Sequence, residues 1–163
     1  MTTDITQGAI VENKEEAPTI TISLRELKCV SFELSEYAIS NKNPIHPDNY
    51  EFQFSLNFSI HEQSKQSVVD FNIKIFEKKL DGVKLELATT YIYLRFQIIN
   101  FDEAIKKDDI LKVFKVPDNL VEICSGVSLS SARGMISVKL ENTIYTNCIL
   151  PLIDPKIWIQ KSK

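Results

Sequence analysis

Apolar and polar residues alternate along much of the first part of the chain, and the clearest alternation covers residues 50–60. The apolar positions there are Tyr50, Phe52, Phe54, Leu56, Phe58 and Ile60. Polar residues such as Gln53, Ser55 and Asn57 stand between them. A period of two places successive side chains on opposite faces of a strand, so this stretch predicts a β-strand with one apolar face.

Three further stretches predict strands with the same period. They cover residues 20–34, with a bend near residues 25–28, then residues 69–75, and finally residues 83–101. In the last stretch the apolar residues change parity near residues 88–90. Such a change predicts either a β-bulge, which re-aims the side chains, or a strand that is buried on both faces.

Residues 118–141 change to the three- and four-residue spacing of a helix, with Asp118, just after Pro117, as the predicted N-cap. The two predicted faces consist of Leu120, Cys124, Val127, Ser131, Met135 and Val138, and of Val121, Ser128, Ala132, Ile136 and Leu140. Gly126, Gly134 and the serines between them lower the helix propensity but make the helix thin. Two alternatives follow: a continuous helix that packs closely on a partner, or a break near one of the glycines.

The order of these elements predicts an α+β fold, in which a four-stranded antiparallel meander is followed by a long helix. A shorter helix is expected within residues 102–114, and a short C-terminal helix at residues 156–160. Residues 1–18 are acidic and show no periodicity, so we expect a flexible tail followed by a single domain over residues 19–163.

Composition and charge narrow the classes of function. The chain has 163 residues, of which 44% are hydrophobic and 25% charged, and its formal net charge is -3. This balance gives no electrostatic reason to expect nucleic acid or an anionic membrane as a partner. No apolar run approaches the ~20 residues that span a bilayer, and no signal peptide is expected. The three cysteines form no C-x-x-C pair, which favours reduced thiols and a cytoplasmic location.

Candidate catalytic and metal-binding residues are few. The histidines His46 and His61 lie in or beside predicted polar loops, without further ligands at metal-binding spacing. Cys124 lies on an apolar helix face, where a thiol is usually a packing residue rather than a nucleophile. The chain also lacks the common phosphate-binding, zinc-protease and serine-hydrolase motifs. We therefore predict no enzyme activity, no cofactor and no bound metal.

Large apolar residues also stand in segments that are expected at the surface. Tyr37, Ile39 and Ile45 lie in a predicted crossover loop, and Ile157 and Trp158 lie near the C-terminus. Exposed apolar patches usually mark a site for a partner. The alternative is that these side chains fold back onto the core.

The order of the elements and several local motifs resemble SecB, the family of bacterial protein-export chaperones. Residues 30–33, VSFE, are similar to the ISFE of the family's first strand. Cys124, Ala132 and Arg133 stand at the Cys, Ala and Arg of the family's helix motif, C-P-N-x-L-F-P-Y-A-R. Residues 150–151 match the Leu and Pro of its return segment. The motif's Pro, Asn, Pro and Tyr are replaced here by Ser125, Gly126, Ser130 and Ser131.

The resemblance implies a homotetramer, a dimer of dimers, that works without ATP or metal. Such proteins hold unfolded or precursor polypeptides in long apolar grooves and hand them to the SecA motor. The polypeptide-binding residues implied for this chain are Tyr37, Ile39, Ile45, Phe52, Phe54, Ile157 and Trp158. The implied oligomer interface is the thin part of the helix, with Gly126, Ser130, Ala132 and Gly134.

The family's contact with the SecA motor is altered in this chain. Glu33 and Leu87 stand at a Glu and the Leu of that contact, whereas Cys29 and Thr89 replace two of its three acidic residues. Some SecB-like proteins serve toxin–antitoxin systems, which is one alternative function. A structural oligomeric module is another. A hot-dog thioesterase is a third, but hot-dog chains place their long helix between the first strands, whereas here it follows all four.

Overall fold

Four long strands form one antiparallel sheet, and a long helix packs on one of its faces. The structure, a computed structural model, describes residues 19–108, 110–111 and 113–157, so the predicted acidic tail lies outside the described residues. In chain order the elements are β1 (Ile22–Leu34), α1 (Glu36–Ser40), a 3-10 helix (Pro47–Asn49), β2 (Tyr50–His61), β3 (Gln66–Lys78), β4 (Lys84–Ile98), α2 (Phe101–Ala104), β5 (Lys106–Asp108), β6 (Val113–Lys115) and α3 (Asp118–Leu140). This order confirms the predicted α+β class.

The strands lie in the order β1-β4-β3-β2. β2, β3 and β4 form the predicted meander, whereas β1 lies beside β4. The chain therefore passes from one edge of the sheet to the other through residues 35–49, which we call the crossover. Within the described part of the chain, each edge strand, β1 or β2, has a strand partner on one side only.

A β-bulge explains the change of parity near residues 88–90, and two further bulges lie in β1. In the ladder between β3 and β4, Leu87 is an extra residue, one position before the predicted change at residues 88–90. The bulge brings both Leu87 and Ala88 into the core. Two register shifts in β1 leave Arg25 and Val30 as extra residues, and the first of them lies where the sequence predicts a bend.

Helix α3 is continuous over 23 residues, through both Gly126 and Gly134. Asp118 is its first residue and Pro117 its N-cap, so the predicted N-cap is one residue too late. The Asp118 carboxylate lies in the first turn, where a negative charge stabilises the helix dipole. The buried residues of α3 are Leu120, Cys124, Ser125, Ser128, Leu129, Ala132, Ile136 and Leu140.

The core lies between α3 and the sheet face that carries the apolar side chains of β3 and β4. Its largest fully buried side chains include Phe71, Phe96, Ile73, Ile75, Ile92, Leu94, Ile98, Leu120 and Ile136. Burying a side chain of this size stabilises the fold by about 1.5–3 kcal/mol. A glycine inside a helix costs only about 0.5–1 kcal/mol, so the packing of α3 outweighs its weak local propensity.

The link between β4 and α3 contradicts the predicted helix over residues 102–114. Helix α2 makes a single turn, and β5 and β6 then form a two-stranded hairpin. At its turn, Asp108 Oδ1 accepts hydrogen bonds from the backbone N–H groups of Ile110 and Leu111, each at 3.0 Å. Such local side-chain-to-backbone bonds compete with helix formation, and the valine and phenylalanine of β6 favour a strand.

Residues 141–157 return beside α3. Pro155 approaches Gly126, with its Cγ 3.5 Å from the point where a Cβ would stand. Residues 156–157 are helical, as predicted for the start of the C-terminal helix, whereas residues 158–160 lie outside the described residues. Tyr145, Cys148 and Leu150 of this segment are buried in the core, so residues 141–157 form a strap along one side of α3.

Candidate functional site

A row of apolar side chains on β2 is only half covered by the rest of the chain. This β2 row consists of Phe52, Phe54, Leu56, Phe58 and Ile60. Phe54 and Leu56 pair with Ile73 and Phe71, two core residues of β3, so the row faces the same side of the sheet as α3. Because α3 packs mainly over β3 and β4, the row remains partly open to solvent beside the helix.

Stacked rings connect the β2 row to the core. The ring centroids of Phe52 and Phe54 are 6.2 Å apart with the planes 19° from parallel. Those of Phe54 and Phe71 are 6.0 Å apart at 18°. Because Phe71 is fully buried, these contacts hold the exposed edges of the two outer rings in place. Phe52 and Phe54, two residues predicted to bind polypeptide, therefore belong to one surface.

The outer edge of β2 is long and regular. Its twelve residues pair with β3 without a register shift, over about 36 Å at ~3.3 Å per residue. It carries one carboxylate, Glu51, and no lysine or arginine. The other edge strand, β1, has two bulges and several charged residues, including Arg25 and Lys28. Bulges and charges are the usual protection of an edge against a further strand, so β1 is protected and β2 is open.

The crossover places the three predicted contact residues in different environments. Ile45 is 4% exposed and belongs to the core, which makes its predicted role in a surface contact wrong. Tyr37 is half-buried, and only Ile39 is fully exposed. At the end of the β2 row the Tyr50 hydroxyl donates to Asn147 Oδ1 at 2.8 Å, and Asn147 Nδ2 donates to the Ile45 carbonyl at 2.8 Å. These bonds tie the crossover to the start of β2.

A charged cluster fixes the other part of the crossover. The Tyr37 hydroxyl donates to Glu77 Oε2 at 2.6 Å, and Lys79 Nζ donates to Glu77 Oε1 at 2.6 Å. Burial raises the pKa of Glu77, but the hydrogen bonds from Lys79 and Tyr37 lower it further than burial raises it. The hydrogen bond to Glu77 likewise raises the pKa of Lys79. Glu77 is therefore an ionised anchor of the fold.

The outer face of α3 holds three of the four predicted interface residues. Gly126, Ser130 and Gly134 lie there, whereas Ala132 is fully buried against the sheet and cannot contact another subunit. The strap and the helix enclose a shallow groove of about 520 Å³ at the level of Gly126 and Pro155. A Cβ at Gly134 would meet nothing within 4 Å, so this part of the helix is open in the chain.

The two predicted motor-contact residues differ in their exposure to solvent. Glu33 is exposed on β1, whereas Leu87 is 2% exposed and packs in the core, so its predicted role in a surface contact is wrong. The solvent face of the sheet is instead covered by polar contacts. Lys74 pairs with Glu86 at 3.0 Å, and the Tyr91 hydroxyl donates to Asp70.

Neither cysteine chemistry nor a metal cluster offers a second candidate site. Burial raises the pKa of the Cys124 thiol to about 11 and that of Cys148 to about 12. Both thiols are therefore poor nucleophiles at neutral pH. Over residues 19–108, 110–111 and 113–157, no group of three or more His, Cys, Asp or Glu could hold a metal ion. None of the helices in these ranges is long and apolar enough to cross a membrane.

Sequence reasoning missed two parts of this surface. The alternation over residues 50–60 already contains Leu56, Phe58 and Ile60, but it does not show that β2 is an edge strand. The β5–β6 hairpin was hidden because its short strands have too few residues to show a period. Trp158, a further predicted contact residue, lies outside the described residues, and Ile157 is exposed on the strap.

Comparison with known proteins identifies the fold of the chain. No protein-family profile and no curated protein sequence matches the chain. The structure is similar to that of a SecB-like chaperone from Mycobacterium tuberculosis in complex with a ChAD peptide from the HigA1 antitoxin, with a TM-score of 0.51 and 8% identity over 81% of this chain and 90% of that chain. A protein of unknown function from Streptococcus agalactiae matches with a TM-score of 0.29 and 14% identity, over 83% of this chain and 99% of that chain. The first of these comparisons shows that the chain has a SecB-like fold.

Proposed function

We propose that this protein is a SecB-like holdase, a chaperone that binds unfolded polypeptides and keeps them competent for folding or export. The observation that carries the proposal is the β2 strand, which combines a half-buried apolar row with a regular outer edge that pairs with no strand of the described residues. An extended polypeptide can pair with such an edge through its main chain while alternate side chains lie on the apolar row. Main-chain pairing does not depend on the client's sequence, which suits a protein with many clients.

The energetics favour reversible holding of such clients. Covering apolar surface contributes about 25 cal/mol per Å². Ordering the client's backbone costs about 1–2 kcal/mol per residue. The first term opposes the second, so the affinity depends on how many apolar side chains the client places on the row. An unfolded chain presents these side chains, whereas a folded chain buries them.

The proposal includes a cytoplasmic homo-oligomer, a tetramer, that assembles through the outer face of α3 with Gly126, Ser130 and Gly134. The small side chains of this face and the exposure of Ser130 and Gly134 in the single chain support it, whereas Gly126 is half-buried beside Pro155. The chaperone with the similar fold was solved with an antitoxin peptide, which supports a polypeptide partner here. We leave SecA docking through Leu87 out of the proposal because that side chain is buried.

The proposal is tested by suppression of aggregation. Purified protein should prevent a chemically unfolded client from aggregating at a roughly stoichiometric ratio, without nucleotide, and should elute with the client on gel filtration. The variant Phe52→Asp places a charge in the β2 row and should lose this activity. Ser55→Asp places the same charge on the opposite, polar face of the same strand and should keep it.

Thermal unfolding of both variants shows that each is folded before the comparison is made. If the wild-type protein forms a stable oligomer but binds no client, the structural-module alternative replaces the chaperone. Measurable hydrolysis of acyl-CoA would instead favour the thioesterase. Equal loss of activity in both variants would remove β2 as the binding surface.

A further inference from the structure

The β5–β6 hairpin exposes large aliphatic side chains at its tip. Ile110 is 91% exposed, Leu111 is 69% exposed and Val113 is exposed beside them. Asp108 Oδ1 accepts hydrogen bonds from the N–H groups of Ile110 and Leu111, which fixes the backbone of these two residues. The same two hydrogen bonds lower the pKa of Asp108. These hydrogen bonds hold Ile110 and Leu111 in place, and together with Val113 we call these residues the apolar tip.

Two lysines stand directly opposite each other on the hairpin. Lys106 pairs with Lys115 in the ladder of β5 and β6, and like charges in this position destabilise a sheet. Asp108 Oδ2 lies 3.7 Å from Lys115 Nζ, while Lys106 Nζ donates to the backbone carbonyl of Asp102 at 3.3 Å. Among the described residues, Lys115 thus has one carboxylate partner, which is already engaged with the turn, and Lys106 has none.

The hairpin carries more positive than negative charge. Residues 106–115 carry four lysines and two aspartates, a net charge of +2. The neighbouring acids are partly used, since Asp102 pairs with Lys65 and Glu62 pairs with Lys107 at 2.7 Å. Glu103 is exposed on α2. The positive charges of Lys106 and Lys115 would therefore stabilise a further carboxylate placed near them.

The hairpin is attached to the end of the β2 row. Glu62, which binds Lys107, directly follows β2. Phe114 of β6 packs on the same core as Phe58 and Ile60, and its ring lies 6.5 Å from that of Phe101 in an edge-on arrangement. A polypeptide that follows β2 toward His61 would next meet the lysine pair and the apolar tip.

We propose that the β5–β6 hairpin is a second docking element, which takes the acidic end of a polypeptide segment whose apolar part lies on β2. This inference rests on the proposed chaperone function and adds a preference to it: clients in which apolar residues are flanked on one side by Glu or Asp. The ammonium groups of Lys106 and Lys115 bind the carboxylates. Ile110, Leu111 and Val113 cover the adjoining apolar side chain.

The test uses three labelled synthetic peptides that share one extended, apolar core long enough to span β2. One peptide has three glutamates at its amino end, one has them at its carboxyl end, and the third has glutamines at both ends. The hairpin lies at one end of β2 only, so a client that pairs with β2 in a single direction brings one of its ends to the lysines. One glutamate peptide should then bind the full-length protein more tightly than the other two, by roughly three- to tenfold. High salt should remove the difference, because the lysines are exposed.

Matched variants locate the effect. The double variant Lys106→Gln with Lys115→Gln should reduce the favoured peptide to the affinity of the glutamine peptide. Lys78→Gln with Lys84→Gln is the control, since Lys78 and Lys84 are also directly opposite each other but lie at the far end of the sheet. It should leave the preference intact. Ile110→Ser with Leu111→Ser should weaken the favoured peptide without affecting folding, because both side chains are exposed.

The outcomes separate this inference from the proposed function. If no peptide binds, the chaperone proposal itself fails. If the peptides bind equally, or both glutamate peptides gain equally, the hairpin does not select acidic clients while the chaperone proposal stands. Binding to anionic phosphatidylglycerol vesicles that depends on Ile110 and Leu111, without peptide selection, would overturn the inference in favour of a membrane contact. A change in oligomer mass in the lysine variant, at unchanged peptide affinity, would overturn it in favour of a second copy of the chain.

Discussion

The hydroxyl of Tyr37 donates a 2.6 Å hydrogen bond to the carboxylate of Glu77, and this contact joins the crossover to β3. Lys79 binds the same carboxylate and lies 5.5 Å from the centre of the Tyr37 ring. Glu77 is 8% exposed, so its charge depends on these two partners rather than on water. The part of the crossover around Tyr37 is therefore anchored to β3 through this carboxylate.

Replacing Glu77 by Gln should lower the free energy of unfolding by about 1.5–3 kcal/mol at pH 7. The pKa of Glu77 is lowered in the folded state, so its ionisation stabilises the fold above the unfolded value of 4.5. That contribution is lost as the pH falls through the lower, folded pKa. Urea unfolding should show a full difference between wild type and variant at pH 7 and a shrinking one below about pH 4.5.

Glu103→Gln is the control for the Glu77 experiment, because Glu103 is exposed on α2. It should change stability by less than about 0.5 kcal/mol at either pH. A difference between the Glu77 variant and the wild type that stays constant down to pH 3 would show that the hydrogen bonds, and not the charge, hold the crossover.

Substitutions at Gly134 should separate the stability of the chain from that of the assembly. Gly134→Ala lowers the backbone entropy of the unfolded chain, and the added methyl group meets no neighbour in the folded chain. The substitution should therefore raise the free energy of unfolding by about 0.5–1 kcal/mol. Gly134→Leu should dissociate the oligomer on dilution, measured by mass photometry, because overpacking an interface costs about 1–3 kcal/mol. Lys139→Leu, also on an exposed part of α3, should not. An intact and thermally more stable Gly134→Leu oligomer would exclude this face from the interface.

Two phenylalanines of the same sheet face should respond differently to truncation. Phe71→Ala removes a fully buried ring and should cost about 3–5 kcal/mol of stability. Phe58→Ala removes a half-buried ring of the β2 row and should cost less stability but more client affinity. Urea unfolding and peptide binding by fluorescence anisotropy measure the two effects. If the Phe58 variant keeps full affinity, the β2 row does not contact the client.

The three cysteines should differ in their reaction with a thiol reagent. Cys124 and Cys148 are buried and have raised pKa values, whereas Cys29 is half-buried on the edge strand β1. In the native protein, Ellman's reagent should label Cys29 alone, and the Cys29→Ser variant should show almost no labelling until urea is added. Rapid native labelling of the Cys29→Ser variant would indicate that the core around α3 opens readily.

The sequence predicted Phe52 and Phe54 correctly as neighbours on one face, but it placed Ile45 and Leu87 at the surface. The period of a strand shows which residues share a face, whereas burial depends on what packs over that face. Ile45 is covered because the strap returns to the crossover and Asn147 binds its carbonyl. Leu87 is covered because a bulge turns it inward. Neither event leaves a local pattern.

By itself, the sequence determined the α+β class, the four strands of the sheet and the helix that follows them, because alternation and helical spacing are local consequences of backbone geometry. The tertiary structure alone decided that β1 lies beside β4, that β2 is left as an open edge and that α3 runs unbroken through Gly126 and Gly134. These features depend on contacts between residues far apart in the chain. The free energy of those contacts is larger than the local preference of a segment for helix or strand. No short stretch of sequence therefore predicts these features.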